Sequence, residues 1–302
     1  ITEEVGKLIN ESRAEIAKSI STIKWVAENS EFEIKPKKLA AHYEKVELHL
    51  LPLGAILAVM PWNFPLWQLV RAIIPQILLG NPVYFRTSQQ SLGVGEWIQS
   101  TLVKSGLGDF IDHLILEDRQ LAMILSHKEI HGLCFTGSTR VGKILAEIAG
   151  RNLKKCVLEL GGSDPFIVDK DADLDLAIRI GLTSRLQNSG QSCIAAKRFI
   201  IHKTLRTAWI EGVLKFVETY RLGNPLLDSS SLAPLAHAGL VEGIKNQWER
   251  SGQDKTRIVH KELQVEGQGV EVAFVEVPKA SGALWDEEVF APIIVFTCFE
   301  TW

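Results

Sequence analysis

Short apolar runs alternate with helical stretches over residues 55–160, and this alternation constrains the fold more than any other feature of the chain. The runs predict strands and the stretches between them predict helices, of which the first ends at Gly80. Strands that alternate with helices imply crossover connections and a mostly parallel sheet. The predicted strands are 55–60, 83–85, 114–116, 133–135 and 157–160, and the predicted helices are 66–79, 93–105, 121–126 and 141–149.

The rest of the chain extends this α/β pattern. Residues 1–30 carry apolar side chains at mostly helical spacing and predict one long amphipathic helix, whereas 43–51 alternates enough for one or two strands. From residue 166 to the end, strand and helix signals alternate again. Because 302 residues exceed the usual size of one domain, we expect either one large domain or two intermingled domains, with the seam at Gly161 and Gly162.

Composition excludes several classes of protein. The formal net charge of −3 lacks the basic excess that a nucleic-acid or membrane-surface partner requires. No apolar run reaches the roughly 18–20 residues of a membrane span, and the N-terminus lacks the apolar region of a secretory signal. The four cysteines show no spacing typical of zinc ligands, so we expect no metal site, no disulfide framework and a cytoplasmic location. Because the chain begins at Ile1 and stops just after an apolar run at 293–297, we expect it to be truncated at both ends.

Cys193 is the candidate nucleophile. It follows the polar, glycine-containing segment 188–192 and precedes an apolar run at 199–201, which predicts a turn at the start of a strand. A thiolate adds readily to an aldehyde carbon, and the thioester formed after hydride loss can be hydrolysed. A buried structural cysteine is the commoner role, and it is the role expected of Cys134, Cys156 and Cys298, which lie in apolar runs.

Glu159 is the candidate general base. It stands between two leucines near the end of the run 157–160, where partial burial is expected, and burial raises the pKa of a carboxyl toward neutral pH. The alternative is an edge-strand carboxylate paired with Lys154 or Lys155. The two glycines that follow allow close backbone approach and favour the functional role.

Two further segments carry groups suited to anions. Asn63 stands in the proline-flanked segment 61–65, where its amide N–H can stabilise an oxyanion by about 3 kcal/mol; a turn asparagine that satisfies its own backbone is the alternative. Segment 135–142 predicts a strand, a tight turn and a helix start capped by Ser138 or Thr139. That helix N-terminus suits a cofactor phosphate, although such a cap usually serves the helix alone.

Together these motifs resemble the aldehyde dehydrogenase superfamily, and its succinate-semialdehyde dehydrogenase branch in particular. The resemblance covers essentially the whole chain and is most specific in PWNFPLWQ at 61–68, KKCVLELGGSDPFIV at 154–168 and QSCIAAKRFII at 191–201. It implies an α/β fold with a Rossmann-like parallel-sheet cofactor domain, an α/β catalytic domain and an oligomerisation flap. The implied bounds are 1–36 and 52–161 for the NAD(P)-binding domain, 37–51 for partial oligomerisation strands and 162–302 for the catalytic domain.

The resemblance also implies roles for individual residues. Cys193 is the expected nucleophile, Glu159 the general base and Asn63 the oxyanion-hole amide. The residues expected to contact the cofactor are Trp62, Gly137, Ser138, Glu288 and Phe290, of which the last two would hold the nicotinamide ribose and ring.

Two departures from the family pattern concern the choice between NADP and NAD. The family usually has a lysine and, three positions later, often a glutamate where this chain has Arg86 and Gln89. A glutamate there would bond the adenosine ribose and repel a 2′-phosphate, whereas Arg86 adds a cation that reaches a phosphate. We therefore expect NADP to be accepted; the alternative is that Arg86 simply weakens cofactor binding.

The far carboxylate of succinate semialdehyde requires a cation in its pocket. Arg71 lies eight positions after Asn63, at a place where some relatives carry a carboxylate-binding arginine. Arg185 lies eight positions before Cys193, close to a second such place that Gln187 occupies. Both arginines are expected substrate contacts, with ordinary surface ion pairs as the alternative.

These expectations describe an NADP- or NAD-dependent dehydrogenase that takes a small aldehyde, succinate semialdehyde, to its acid and forms a homodimer or homotetramer. Two alternatives stay open. One is a truncated, catalytically silent relative with a binding or assembly role. The other is a relative that passes the acyl group to coenzyme A, against which the presence of Glu159 argues.

Overall fold

The computed structural model describes residues 1–252 and 257–301, and the chain forms two compact units. The N-terminal unit comprises Ile1 and Arg13–Leu160, and the C-terminal unit comprises Thr2–Ser12 and Gly161–Trp302. The domain bounds implied by the sequence stay a prediction. Within the two described ranges, no helix is both long enough and apolar enough to cross a membrane.

The helices follow the predicted pattern except at the N-terminus. One continuous helix over residues 1–30 is wrong, because Gly6 adopts a left-handed φ of 76° and separates the first two helices. The helices are α1 Thr2–Val5, α2 Ile9–Ile34, α3 Pro65–Leu78, α4 Leu92–Lys104, α5 Asp118–Ser126, α6 Thr139–Arg151, α7 Leu174–Leu186, α8 Arg206–Val217, α9 Ala238–Ser251 and α10 Ala283–Asp286, with 3₁₀ turns at Gln89–Ser91, Gln187–Gly190 and Lys203–Leu205.

The strands form two larger sheets and two small hairpins. They are β1 Lys37–Lys38, β2 Glu47–Leu48, β3 Ala55–Val59, β4 Val83–Arg86, β5 Ile111–His113, β6 Ile130–Thr136, β7 Lys155–Glu159, β8 Asp164–Val168, β9 Ala196–His202, β10 Arg257–His260, β11 Val265–Glu266, β12 Gly269–Val270, β13 Ala273–Glu276 and β14 Ile293–Phe299.

The sheet of the N-terminal unit has the strand order β5-β4-β3-β6-β7, and its neighbouring strands all pair in parallel. The predicted parallel sheet is confirmed. Strand β3 lies in the middle of this sheet. Strands β4 and β5 follow on one side of it, and β6 and β7 then follow on the other side. The order therefore reverses between β3 and β6, and ligands of such sheets bind at this point, outside the carboxyl ends of the strands.

Alternating side chains of β3 build the core on both sides of this sheet. Leu57 and Val59 join one buried cluster, while Ile56 and Ala58 join another. Full burial of one such leucine contributes roughly 1.5–3 kcal/mol. The predicted strand at 114–116 is wrong: β5 lies three residues earlier, where Ile111 is buried at 2% exposure.

The sheet of the C-terminal unit has the order β10-β13-β14-β9-β8, with β10 antiparallel to β13 and the other pairs parallel. Phe199 and Ile201 of β9 point into one buried cluster with Trp209, and Ile200 packs against the cluster on the opposite face. These contacts fix the start of β9, and the turn that leads into it carries Cys193.

Strands β1 and β2 form a small antiparallel hairpin in which Lys37 lies opposite Leu48. The second strand falls inside the predicted range 43–51, and the first lies before it. The segment exposes several large apolar side chains, including Leu39, Leu48 and Leu51. It is the segment expected to supply oligomerisation strands.

Candidate active site

Several predicted site residues of the N-terminal unit lie at one edge of its sheet. The chain leaves β3 toward Trp62 and Asn63, leaves β6 toward Gly137 and Ser138, and reaches Glu159 at the end of β7. Because these strands are parallel, their carboxyl ends share an edge. The backbone N–H of Gly137 donates to the carbonyl of Glu159 at 3.0 Å. The segments after β3 and β6 flank the point where the strand order reverses.

The helix that follows Asn63 is held at its start by a distant carboxylate. Asn63 is buried, at 5% exposure, and α3 begins two residues later at Pro65. The backbone N–H groups of Leu66 and Trp67 both donate to Oε1 of Glu15 at 2.9 Å. A carboxylate is favourable at a helix N-terminus, where N–H groups lack partners within the helix. Sequence reasoning missed Glu15, because its partners lie about fifty positions away along the chain.

Ser138 caps α6, as the sequence predicts: its hydroxyl accepts from the backbone N–H of Val141 at 3.4 Å.

Glu159 differs from the expectation in its surroundings. Its side chain is 51% exposed, so the partial burial that the sequence predicts for this carboxylate is not observed. Its ion-pair partner is Arg71, with Nη1 at 3.4 Å from Oε1, rather than either of the lysines that precede it. Lys154 instead donates from Nζ to the carbonyls of Leu125 and His127, at 2.6 and 2.5 Å.

Arg86, the expected contact for a 2′-phosphate, lies at the carboxyl end of β4. Its side chain is only 12% exposed, and Nη2 lies 2.6 Å from Oδ1 of Asp118. Asp118 is itself 86% exposed at the start of α5. Gln89 is exposed. A phosphate that binds Arg86 must therefore compete with, or accept the proximity of, the Asp118 carboxylate.

We call residues 188–193 the nucleophile turn. Three successive residues of this turn are left-handed, with φ of 51° at Asn188, 53° at Ser189 and 78° at Gly190. Non-glycine residues adopt this conformation rarely, so surrounding contacts must enforce it. Glycine is required at position 190 on a second ground, because a Cβ there would collide with the carbonyl oxygen of Ala291.

Hydrogen bonds tie the nucleophile turn to the segment 233–236. The hydroxyl of Ser189 donates to the carbonyl of Ala233 at 2.8 Å and accepts from its N–H at 2.9 Å. The side-chain carbonyl of Gln191 accepts from the N–H of Ala236 at 3.0 Å. These bonds supply the contacts that the left-handed backbone needs.

Cys193 is partly exposed as a residue, although Ser192 beside it is 1% exposed. The other cysteines divide. Cys134 is buried, and burial raises the pKa of its thiol, as expected of a structural residue. Cys156 is exposed on β7, so the expectation that it is buried is wrong. An edge strand leaves even an apolar run open on one side.

Glu288 reaches back to the start of the C-terminal unit and to β9. Its Oε1 accepts from the backbone N–H of Gly162 at 3.4 Å and lies 3.4 Å from Nζ of Lys197. Nζ of Lys197 also donates to the carbonyl of Cys193 at 2.6 Å. A side chain at Gly161 would collide with the Glu288 carboxylate. Lys197 was missed by sequence reasoning; the available signal was a pair of adjacent charges, Lys197 and Arg198, inside the otherwise apolar run 194–201.

The contacts of Arg185 are with backbone carbonyls, whereas the sequence predicts a contact with substrate. Its side chain is completely buried, and it donates from Nε to the carbonyl of Ile293 at 2.9 Å and from Nη2 to that of Val289 at 3.0 Å and to that of Ala291. Burial lowers the pKa of this guanidinium to about 10, and the charge of Glu288 opposes the shift. Arg185 thereby anchors the segment that carries Phe290.

Two clefts open on the C-terminal unit near these residues. One, of about 540 Å³, is lined by residues that include Gln187, Ser192 and Arg179. The other, of about 370 Å³, is lined by residues that include Gln247, Glu288 and Phe290. The side-chain N–H of Gln247 donates to the carbonyl of Glu288 at 3.0 Å. The nucleophile turn thus borders one cleft and the expected cofactor residues border the other.

Sequence comparison matches residues 1–302 to the profile described as the aldehyde dehydrogenase family. The chain is 34% identical over 300 residues to succinate semialdehyde dehydrogenase [NAD(P)+] Sad of Escherichia coli K12, covering 98% of this chain and 65% of that protein. It is 33% identical over 304 residues to succinate-semialdehyde dehydrogenase [NADP(+)] of Deinococcus radiodurans, covering 98% and 62%. The chain therefore spans slightly less than two thirds of the length of these relatives.

Structural comparison agrees. The crystal structure of succinic semialdehyde dehydrogenase from Streptococcus pyogenes in complex with NADP+ superposes with a TM-score of 0.94 at 28% identity. The superposition covers 99% of this chain and 67% of that one.

Proposed function

The chain belongs to the aldehyde dehydrogenase family, and from that premise we propose that it oxidises succinate semialdehyde to succinate with NADP or NAD. The relatives named for this reaction support the proposal. The observation that carries it is the nucleophile turn, which places the partly exposed residue Cys193 at the end of a backbone that side-chain hydrogen bonds hold in an uncommon conformation. Such strain persists only where surrounding contacts enforce it, and it is frequent at active sites.

In the proposed reaction, the thiolate of Cys193 adds to the aldehyde carbon, and the amide of Asn63 stabilises the resulting oxyanion. Collapse of the oxyanion expels hydride and leaves a thioester on Cys193. Glu159 removes a proton from water, which attacks the thioester, and the acid leaves while the thiol is restored. The dinucleotide supplies a nicotinamide ring that accepts the hydride.

The residues present fit a dinucleotide. The reversal of strand order between β3 and β6 provides the usual crevice, with Trp62 and Gly137 in the segments beside it. Within the N-terminal unit, Arg86 offers a cation for a 2′-phosphate. Within the C-terminal unit, Glu288 and Phe290 line the 370 Å³ cleft and are the residues proposed to hold the nicotinamide end. The proposed order of preference is NADP before NAD, because Arg86 supplies a cation and Gln89 is uncharged; the Asp118 carboxylate that pairs with Arg86 reduces this preference without reversing it.

The test measures NADPH and NADH formation from succinate semialdehyde with wild-type protein and with Cys193→Ala. Turnover that disappears in the variant supports the proposal, and formation of succinate without added coenzyme A excludes acyl transfer. Cys156→Ala is the matched control, because Cys156 is an exposed thiol on an edge strand. Folded wild-type protein that forms neither NADPH nor NADH would contradict the proposal and favour a silent relative with a binding role.

We propose further that the protein self-associates as a homodimer or homotetramer through the segment 37–51. Its exposed Leu39, Leu48 and Leu51 support this, because apolar side chains on a small hairpin gain stability when a second copy covers them. Light scattering of wild type and Leu51→Glu tests the assignment. A variant that keeps the wild-type mass at every concentration would contradict it.

A further inference from the structure

Lys197 is a buried cation that links two segments of the proposed active site. Its side chain is 1% exposed, which is rare for lysine unless the charge is paired. Nζ donates to the carbonyl of Cys193 at 2.6 Å and lies 3.4 Å from Oε1 of Glu288. A single ammonium group therefore contacts the main chain of the expected nucleophile and the carboxylate expected at the nicotinamide ribose.

The groups around Lys197 shift the pKa of its ammonium in opposite directions. Desolvation lowers the pKa of the ammonium, and the charge of Glu288 opposes this shift. Arg185 lowers the pKa further, whereas Cys193 raises it. Interactions of this kind are reciprocal, so a cation whose charged form is favoured by the Cys193 thiolate also favours that thiolate.

An apolar side chain of similar length would fill the same space without desolvating a charge, and such replacements are often neutral or stabilising. The ammonium is thus not needed to fill the core. Its contacts indicate what it does instead: it fixes the carbonyl that follows the thiol and the position of the Glu288 carboxylate. Charge-assisted hydrogen bonds are shorter and stronger than neutral ones, and the 2.6 Å bond to Cys193 is of that kind.

We propose that Lys197 is a positioning residue of the reaction, which sets the nucleophile turn and the cofactor-ribose carboxylate in one geometry through its ammonium group. This inference rests on the proposed function. It predicts that loss of the charge changes both the reactivity of Cys193 and the binding of NADP+.

The test compares Lys197→Met, which keeps the length of the side chain, with Lys197→Gln, which keeps an N–H donor without charge. Lys203→Met is the matched control, because it removes an exposed lysine paired with Glu300 in the same unit. Iodoacetamide alkylation of the Cys193 peptide is followed by mass spectrometry across pH. Binding of NADP+ is followed by titration, and both measurements work without turnover.

We expect Lys197→Met to slow alkylation of Cys193 at pH 7 by roughly three- to tenfold, to move its pH midpoint upward and to weaken NADP+ binding. Lys197→Gln should restore part of the NADP+ affinity without restoring the pH midpoint. The effects of Lys197→Met and Glu288→Gln on NADP+ binding should be less than additive, since the two side chains are in contact.

Wild-type alkylation and NADP+ binding in folded Lys197→Met would overturn the proposal. Unfolding of both Lys197 variants would overturn it too, by assigning the side chain to stability alone. Wild-type protein and the Lys197 variants can differ in Cys193 alkylation and NADP+ binding as predicted while wild-type protein gives no turnover. In that case the proposed function fails, and the role of Lys197 in positioning Cys193 and Glu288 stands.

Discussion

Nη1 of Arg71 lies 3.4 Å from Oε1 of Glu159, and Nη2 of the same guanidinium donates to Gln68 at 2.9 Å. The cation expected to bind a substrate carboxylate thus holds the carboxylate expected to act as base. Both side chains are substantially exposed, at 40% and 51%, so the pair contributes about 0–1 kcal/mol. A substrate carboxylate can therefore compete for Arg71 at little energetic expense.

Replacement of Arg71 should separate these two roles. If Arg71 binds the substrate, Arg71→Met raises KM for succinate semialdehyde about tenfold and leaves butyraldehyde, which lacks the carboxylate, nearly unchanged. Arg151→Met is the control, since Arg151 also forms an exposed ion pair on a helix. An equal loss of kcat with both aldehydes would show that Arg71 serves Glu159 instead. If Arg179→Met instead raises KM for succinate semialdehyde and not for butyraldehyde, the substrate carboxylate binds in the 540 Å³ cleft that Arg179 lines.

Asp118 should restrict the use of NADP. Its carboxylate lies 2.6 Å from the guanidinium expected to bind the 2′-phosphate, so it repels the phosphate and occupies its donor. Asp118→Asn should raise kcat/KM for NADP+ several-fold, which corresponds to about 0.5–1 kcal/mol of activation free energy. The value of kcat/KM for NAD+ should change little. Glu129→Gln serves as the control because it removes an exposed paired carboxylate elsewhere on this unit. Equal changes for both cofactors would argue that Arg86 does not contact the 2′-phosphate.

Gly190→Ala should disrupt the nucleophile turn. The left-handed φ of 78° strains any side chain, and the added Cβ collides with the carbonyl of Ala291. We expect a decrease of about 1–3 kcal/mol in the free energy of unfolding, measured in urea, and a large loss of Cys193 alkylation. Gly150→Ala in α6 is the matched control, since a Cβ there meets open space and alanine favours the helix. Equal stability of the two variants would contradict the assigned geometry.

Glu276 should stabilise the C-terminal unit in a pH-dependent manner. Its buried carboxylate accepts from Arg206 at 2.8 and 2.7 Å and from Arg257 at 3.1 Å, and the hydrogen bonds from Arg206 lower its pKa. Because the carboxyl pKa is lower in the folded state than its ordinary value of 4.5, the carboxylate stabilises the folded protein at pH values above 4.5. This contribution is lost as the pH falls through the folded-state pKa.

Glu276→Gln should therefore lower the free energy of unfolding at pH 7 by about 1–3 kcal/mol, the smaller end applying because the arginines are partly exposed. The difference from wild type should shrink as the pH is lowered. Glu242→Gln, in an exposed pair with Lys245, should change little at any pH. A difference that persists unchanged in acid would point to packing rather than charge.

The sequence predicted the fold class from local patterns that the folded structure keeps. The run at 55–60 became β3 almost unchanged, because a short apolar run bounded by turn residues has few alternatives. The prediction of a strand at 114–116 is wrong, because the strand that pairs with β4 lies at 111–113 and buries Ile111 opposite Val83. Periodicity reports how apolar a segment is and carries little information on which part of it pairs.

Candidate site residues could be predicted where they belong to a local sequence motif. They could not be predicted where their contacts come from parts of the chain that are distant in sequence. Cys193 was found from its polar turn, and its role stays a prediction. The sequence predicts Arg185 as a substrate contact, with a surface ion pair as the alternative, yet its side chain is completely buried and donates to three backbone carbonyls of the segment 289–293. Glu15 and Lys197 were missed for the same reason, since their partners are defined only by tertiary contacts.

The bonds from Ser189 and Gln191 to the segment 233–236 give the proposed reaction a remote point of adjustment. A mutation that shifts this segment would also move Ser189 and Gln191, and with them the turn that carries Cys193, without replacing Cys193 itself. Random mutagenesis aimed at faster or slower variants should therefore yield changes there, more than forty positions from Ser189 along the chain, and directed evolution can use that segment to tune the rate while substrate preference stays constant.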